Sequence, residues 1–296
     1  MRFHRLGKSL PLGMALIIGG QFLFAGMGVG IRFLGDEVPN EVLVFFRNIL
    51  GLGLLAPWLF RDGLPGLRTQ VPHLHLLRGG AGLAAMYCFY YAIMRLPLAE
   101  AMVLLLGAPL YIPLIGLLWL KEPVPARVWL GVALGCRAGG GLDGLALGFG
   151  GVLVMMRPGL AGISTPVALA LLGGFFAAIV QVTIRRLSRT EPTLRIVFYF
   201  AFTGTLLSAL PLAWAWSTPS PRALVGLLAV AVCSTLGQVC LTQGLSMASV
   251  ARLGIFSYFS VIFAAAFGWL LWQEPITHWQ VAGSLLILLA GLLAGG

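Results

Sequence analysis

Arg47 is the residue in this sequence best suited to binding chemistry, because it is a cation inside an apolar run. It stands with Asn48 between Phe45-Phe46 and Ile49-Leu50. At 1.5 Å per residue, Arg47 would lie roughly 9 Å inside the predicted helix. An arginine at membrane depth costs at least ~2.5–3.5 kcal/mol on insertion scales, so it usually faces the interior of a helix bundle. We therefore predict that Arg47 binds an anionic group; the alternative is a side chain that extends to the outer interface.

Polar and aromatic side chains in other apolar runs are candidate neighbours of Arg47. Gln21 is a polar amide in the first run, where it contacts either a substrate or another helix. Tyr87 and Tyr91 are four residues apart and share one helix face, either in the interfacial aromatic belt or in the wall of a cavity. Later runs supply three further candidates for substrate binding: Gln181, Gln238 and Tyr258.

Glu100 opens the fourth apolar run and is the carboxylate nearest the predicted outer half of the membrane that is not in a polar loop. Three roles remain open for it. It could form an ion pair with Arg47, couple transport to protons, or stabilise the first turn of its helix through the macrodipole.

Metal and cofactor motifs are not predicted from this sequence. His73-x-His75 has no third ligand nearby, and no nucleotide-binding motif occurs. The four cysteines lie in apolar runs without paired spacing near a loop, which favours buried packing residues over ligands or disulfides; they are Cys88, Cys136, Cys233 and Cys240.

The composition places these residues in a membrane. Of 296 residues, 59% are hydrophobic and only 9% are charged, whereas a soluble domain carries about a quarter charged residues. Apolar runs long enough to cross ~30 Å of hydrocarbon recur along the chain. Because the runs are continuous rather than alternating, they favour helices over barrel strands. We predict ten transmembrane helices, at roughly 12–34, 41–60, 74–95, 98–120, 127–156, 166–187, 193–216, 222–247, 250–272 and 277–296.

The net charge of +10 is distributed as the positive-inside rule requires. With the N-terminus inside, 13 basic residues, Arg78 among them, fall at internal ends and loops. Only four fall outside: Arg32, Arg95, Arg157 and Arg222. The distribution predicts a multi-pass protein of a bacterial-type cytoplasmic membrane with both termini in the cytoplasm. It disfavours nucleic acid as a partner, because no soluble module carries the charge.

The sequence repeats itself across its two halves. Trp119-Leu120-Lys121-Glu122-Pro123 returns as Trp272-Gln273-Glu274-Pro275, with the two Glu-Pro pairs offset by 152 residues. Pro39 and Phe45-Phe46 match Pro192 and Phe198-Tyr199 at an offset of 153 residues. We predict an all-α integral membrane protein made of two five-helix repeats, 12–156 and 166–296.

Residues 136–148 interrupt this pattern with Cys136-Arg137-Ala138-Gly139-Gly140-Gly141-Leu142-Asp143. The flanking segments 131–135 and 144–148 are nearly identical and 13 residues apart. We interpret 136–148 as a short tandem insertion in the fifth helix, real or arising in the gene model. The alternative is a broken helix whose glycine-rich bend coordinates an ion.

An odd number of helices per repeat inverts the second repeat in the membrane. Two inverted halves place a site between them that can open to either side in turn. This architecture favours a transporter over a membrane enzyme, which would need a cluster of catalytic side chains at membrane depth.

These features resemble the drug/metabolite transporter superfamily, specifically its ten-helix proteins with two EamA domains. The resemblance rests on the paired Trp and Glu-Pro motifs, Arg47, Leu96–Ala101, and Gly150-Gly151-Val152-Leu153-Val154 before Arg157-Pro158. It covers essentially the whole chain, and residues 136–148 depart from it. It implies carriage of small organic metabolites, often outward.

The residues narrow the predicted substrate. Relatives that export small cations rely on a glutamate in the first helix, where this chain has Gln21. We therefore expect a secondary transporter that moves an anionic or zwitterionic metabolite, such as an amino acid, outward across the inner membrane. The alternatives are an uptake carrier for a vitamin or nucleotide-like metabolite, or a channel or sensory protein. The partners expected are a small-molecule substrate and the lipid bilayer, in a monomer or homodimer.

Deleting 136–148 tests the insertion. Removal joins Gly135 to Phe149 and leaves an ordinary span, so we expect the shortened protein to reach the membrane and transport at an unchanged rate. The measurement is uptake or export at matched membrane levels. Loss of transport with a normal membrane level would contradict an expendable insert.

Overall fold

The computed structural model describes residues 10–58, 63–105, 164–247, 256–257 and 259–274, and the pairs 278–279, 281–282 and 285–286. Within these ranges the chain is helical and contains no strand. A 3-10 turn covers Leu64–Leu67. The helices are α1 Leu10–Leu34, α2 Asn40–Leu54, α3 Pro72–Ile93, α4 Leu98–Leu105, α5 Thr165–Leu187, α6 Thr193–Ser208, α7 Leu212–Ala215, α8 Pro221–Met247 and α9 Phe259–Trp272.

The outer surface of the helix bundle is apolar. In the part of the chain that the structure describes, four helical stretches are long and apolar enough to cross a membrane: Pro11–Leu34, Asn40–Trp58, Thr165–Leu187 and Pro221–Met247. Large side chains point outward from the bundle, with Trp214 76% and Val225 71% exposed. Such exposure suits hydrocarbon and would be costly as a large patch in water. The predicted all-α membrane fold is confirmed.

Prolines fix where several helices begin. α3 and α5 each carry a proline in the first turn, where the missing N–H would have no helical partner and the fixed φ already suits a helix. Pro39 and Pro192 stand in extended conformation immediately before α2 and α6. The two prolines are equivalent in the sequence repeat, so the repeat starts its second helix in the same way each time.

Glycines let α1 and α8 pack closely and antiparallel. A Cβ built on Gly20 would lie 3.3 Å from the Gly237 carbonyl oxygen, and one on Gly237 would lie 3.3 Å from the Gly20 carbonyl oxygen. Further along, a Cβ on Gly30 would lie 2.6 Å from Val230. Small residues at such crossings allow backbone-to-backbone contact, which is what holds helices together in lipid.

The helix contacts follow the sequence repeat, which pairs α1 with α5, α2 with α6, α3 with α8 and α4 with α9. The contact between α1 and α8 corresponds to the contact between α5 and α3. The contact between α2 and α8 corresponds to the contact between α6 and α3. Likewise α1 packs on α9 as α5 packs on α4, while α2 packs on α6 and α4 on α9. Exchanging each helix for its repeat partner therefore reproduces the principal contacts.

Several sequence predictions fall outside the described residues. Among them are the first Glu-Pro motif at Glu122-Pro123, the segment 136–148 and the predicted helix 127–156. The repeat boundaries 12–156 and 166–296 therefore remain predictions.

The α1–α8 contact predicts that leucine destabilises the protein at one of two adjacent glycines and not at the other. Gly20 is buried against α8, whereas Gly19 is exposed and has no atom within 4 Å of an added Cβ. We expect Gly20→Leu to lower the melting temperature of the detergent-purified protein, because overpacking costs at least ~1–3 kcal/mol. Gly19→Leu is the matched control and should melt like the wild type. Equal melting temperatures for the two variants would show that the helices do not pack this closely.

Candidate functional site

A cavity of about 150 Å³ lies between the two halves of the chain. Helices α1 to α6, α8 and α9 contribute to its wall, together with Ser257 just before α9. Most of the lining is methionine, phenylalanine and small apolar residues. The polar side chains in it are few, and those of greatest chemical interest are Gln21, Arg47, Arg78, Tyr90, Gln181 and Gln238.

Arg47 is held by its neighbour on α2. The side chain is 4% exposed, and its Nη1 donates to Asn48 Oδ1 at 2.9 Å. Asn48 is fully buried and its Nδ2 donates to the Val44 carbonyl at 2.9 Å. A Cβ on Gly204 of α6 would lie only 2.6 Å from Asn48 Oδ1. The glycine thus leaves room for the amide that positions Arg47.

Arg78 is a second buried cation, located one helix away on α3. It has no exposed surface, and its Nη2 donates to Gln238 Oε1 of α8 at 2.7 Å. One turn further along α3 is Gly82, whose added Cβ would lie 2.7 Å from the Phe200 ring and 3.1 Å from Arg78 Nη1. The missing side chain at Gly82 therefore allows the α6 ring and the guanidinium to meet against α3.

Both arginines stack on the same aromatic ring. The guanidinium carbons of Arg47 and Arg78 lie 4.9 Å and 3.8 Å from the centroid of the Phe200 ring. The distance between the two guanidinium carbons therefore cannot exceed the sum of these two distances. Attraction to the ring face partly offsets the cost of burying each cation. Phe200 stands 153 residues after Arg47, the register that relates Pro39 to Pro192. Arg47 and Phe200 therefore occupy equivalent positions in the repeat and face each other.

The cavity carries unmatched positive charge. Arg47 Nε, Arg78 Nε and Arg78 Nη1 are buried and meet no acceptor in the described ranges. The protein partners of the two guanidiniums are the neutral amides of Asn48 and Gln238, and the described lining includes no aspartate or glutamate. Buried donors without acceptors destabilise a protein, so an anion entering this cavity would be bound favourably.

The structure brings four of the predicted site residues together in this cavity: Arg47, Gln21, Gln181 and Gln238. Tyr90, rather than Tyr87 or Tyr91, supplies the tyrosine in the described lining. The Tyr87 carbonyl accepts a hydrogen bond from Asn40 at the end of the bundle, and Tyr91 stacks with Arg95 there. Tyr258 and the Glu100 side chain lie outside the described residues. Their roles remain predictions.

Arg78 was not among the predicted site residues, because charge counting assigned it to the inner ends of the helices. The signal that could have identified it is its depth. It stands six residues after Pro72, where α3 begins, or roughly 9 Å along the helix. The same estimate of depth within the helix identifies Arg47 as a site residue. Arg78 is a cavity residue and not a loop charge.

Polar contacts tie the two halves of the chain at both ends of the cavity. At the end where α1 finishes, Arg32 forms an ion pair with Glu274 and lies 4.4 Å over the Trp272 ring. At the end where α1 begins, Glu191 Oε1 accepts from Thr69 Oγ1 at 2.7 Å, and Glu191 Oε2 accepts from Arg195 at 2.6 Å. We call these contacts the Arg32 pair and the Glu191 cluster.

Comparison with known families agrees with this architecture. Residues 11–138 and 164–295 each match the EamA-like transporter family. The chain belongs to this family. Its members have a ten-helix membrane fold, and the chain is a multi-pass membrane transporter of small metabolites rather than an enzyme.

Individual relatives carry chemically different solutes. The chain is 33% identical over 95% of its length to the pseudopaline exporter CntI of Pseudomonas aeruginosa, of which it covers 95%. It is 21% identical over 88% of its length to an S-adenosylmethionine uptake transporter of Rickettsia felis, covering 84% of it. It is 25% identical over 91% of its length to a riboflavin transporter of Brucella anthropi, covering 93% of it.

A solved crystal structure shares the fold. It aligns with a TM-score of 0.70 over 95% of this chain and 96% of its own, at 18% identity.

The buried charges predict that removing Arg78 stabilises the ligand-free protein. Arg78→Met keeps most of the side-chain volume and removes a desolvated cation that faces a like charge. Replacing buried ions by apolar groups is often neutral or stabilising by ~1–4 kcal/mol. We expect a higher melting temperature for the purified ligand-free variant, and no change for Arg222→Met, whose side chain is exposed on α8. A lower melting temperature for Arg78→Met would instead assign Arg78 a structural role.

Proposed function

We propose that this protein exports a small anionic or zwitterionic metabolite across a bacterial inner membrane by alternating access. The observation that carries the proposal is Arg47, a buried guanidinium in a cavity between the two repeats, whose Nε meets no acceptor among the described residues. A transporter site with this charge attracts a carboxylate or phosphate and repels a cation. The similarity to an exporter over almost the whole chain supports the outward direction.

The orientation of the protein follows from its basic residues. Arg185, Arg186, Arg189 and Arg195 all lie at or near the α5–α6 turn, at the end of the bundle where α1 begins. By the positive-inside rule this end is cytoplasmic. In this orientation both termini are in the cytoplasm, the Glu191 cluster is the inner closure of the cavity and the Arg32 pair is the outer closure.

Transport by this arrangement requires each closure to open in turn. The Arg32 pair joins α1 to the segment after α9, and the Glu191 cluster joins the α2–α3 connection to the α5–α6 turn. Rocking of helix groups that face each other across the cavity would break one closure while the other stays formed. The substrate would remain on Arg47, while Gln21, Gln181 and Gln238 hydrogen-bond its polar groups. We retain Glu100 as the candidate for proton coupling.

Uptake is a second candidate function, favoured by the relatives that are named S-adenosylmethionine uptake transporters. The S-adenosylmethionine and riboflavin transporters are also similar to this chain over most of its length. Both solutes combine polar groups with an extended ring system, for which the phenylalanines and methionines of the cavity would provide an apolar wall.

Comparing metabolites inside and outside cells tests substrate charge and direction together. Cells producing the wild type should accumulate an acidic or zwitterionic metabolite in the medium, whereas cells producing Arg47→Gln should accumulate much less, because the anion then loses the guanidinium that binds it and only Arg78 remains in the described lining of the cavity. The measurement is untargeted mass spectrometry of medium and cell extract, at matched membrane levels of the two proteins. Arg222→Gln is the control for loss of a basic residue outside the cavity.

Two results would change the proposal. Depletion of a metabolite from the medium and its enrichment in wild-type cells would establish uptake. Export confined to cations and unaffected by Arg47→Gln would show that the site and the charge of the substrate are wrongly assigned.

A further inference from the structure

We infer that the cavity selects solutes carrying two separate acidic groups, one bound by Arg47 and the other by Arg78. This inference rests on the proposed function and specifies its substrate class. It follows from the number, spacing and partners of the buried cations.

Each guanidinium has spare hydrogen-bonding capacity within the cavity. An arginine side chain offers five N–H donors. Among the described residues, Arg47 donates to the Asn48 amide oxygen and Arg78 to the Gln238 amide oxygen. Within the same part of the chain, Arg47 Nε and Arg78 Nε and Nη1 are buried and meet no acceptor. A carboxylate or phosphate oxygen is the acceptor that such donors bind most strongly.

One carboxylate supplies a single negative charge for the two buried cations Arg47 and Arg78. The two guanidiniums approach the Phe200 ring, Arg78 at 3.8 Å and Arg47 at 4.9 Å from its centroid. A solute with one acidic group would neutralise one arginine and leave the other buried without a counter-charge. A buried charge without a partner is strongly unfavourable. The second arginine therefore favours binding of solutes that carry a second acidic group.

The local sequence maintains this pair of cations. Gly82 allows Phe200 to approach α3, and Gly204 allows Asn48 to lie against α6. Gln238 reaches Arg78 from α8, in the opposite half of the chain. Since α2, α3, α6 and α8 all contribute, the two-anion site exists only when the halves are assembled.

Diacids and their monoamides provide matched probes of this inference. Succinate, glutarate and adipate differ from succinamate, glutaramate and adipamate by one charge at nearly constant shape. The measurement is the melting temperature of the detergent-purified full-length protein against the concentration of each compound, because binding to the folded state raises it by mass action. We expect at least one diacid to stabilise the wild type at a concentration at least roughly tenfold lower than its monoamide, since a site built for a polar group rejects the analogue that lacks it.

Variants identify the source of the preference. Arg78→Gln and Arg47→Gln should each abolish the difference between diacid and monoamide, because one cation then remains. Arg78→Lys retains the charge and should retain the preference at lower affinity. Arg222→Gln, altered outside the cavity, should behave as the wild type. Size-exclusion chromatography of each variant checks that it is folded before binding is measured.

The outcomes separate this inference from the proposed function. Equal potency of diacid and monoamide, with both lost in Arg47→Gln, would overturn the two-acid site and leave an anion carrier. Equal potency of glycerol 3-phosphate, which places its charge on one group, would overturn the requirement for two separate acids. Absence of any diacid effect would also overturn the inference. If tetraphenylphosphonium alone stabilised the protein, regardless of Arg47, the proposed function would fail as well.

Discussion

Stacking of Arg47 and Arg78 on Phe200 is the interaction on which the rest of the cavity depends. Two cations inside a membrane bundle must be kept away from hydrocarbon, and here the surrounding helices achieve this with aromatic and amide groups. The ring accepts one guanidinium from α2 and another from α3. This arrangement requires glycines on α3 and α6. A side chain at Gly82 would displace the Phe200 ring, and a side chain at Gly204 would displace the Asn48 amide.

The closures at the two ends are small compared with the packed helices between them. Helices α1 and α8 meet through several glycines along their length, whereas the Arg32 pair joins two side chains that are each about a quarter exposed. An ion pair with this exposure contributes little net stability and is weakened by salt. The Arg32 pair can therefore open at low energetic cost while the close α1–α8 contact, which joins the two repeats, stays formed.

The sequence predicted the fold more completely than the site. Long apolar runs and the repeated Glu-Pro motif were sufficient for an all-helical membrane protein of two similar halves. Arg47 was identifiable because its depth in an apolar run is visible in one dimension. Arg78 was not identifiable in this way, because a basic residue near the start of a helix resembles the positive charges that set membrane orientation. The sequence predicted Tyr87 and Tyr91 as site residues and did not predict Tyr90. Neighbouring residues on a helix point about 100° apart, and only the packing of the helix decides which of them faces the cavity.

The pairing of Arg47 with Phe200 also bears on how such a protein could arise. In a dimer of identical chains, a residue close to the symmetry axis meets its own copy. An arginine at this position would then confront a second arginine, and an aromatic ring a second ring. Joining the halves in one chain lets the two equivalent positions diverge. Only after that step could a cation and the ring that stabilises it occupy opposite sides of one cavity.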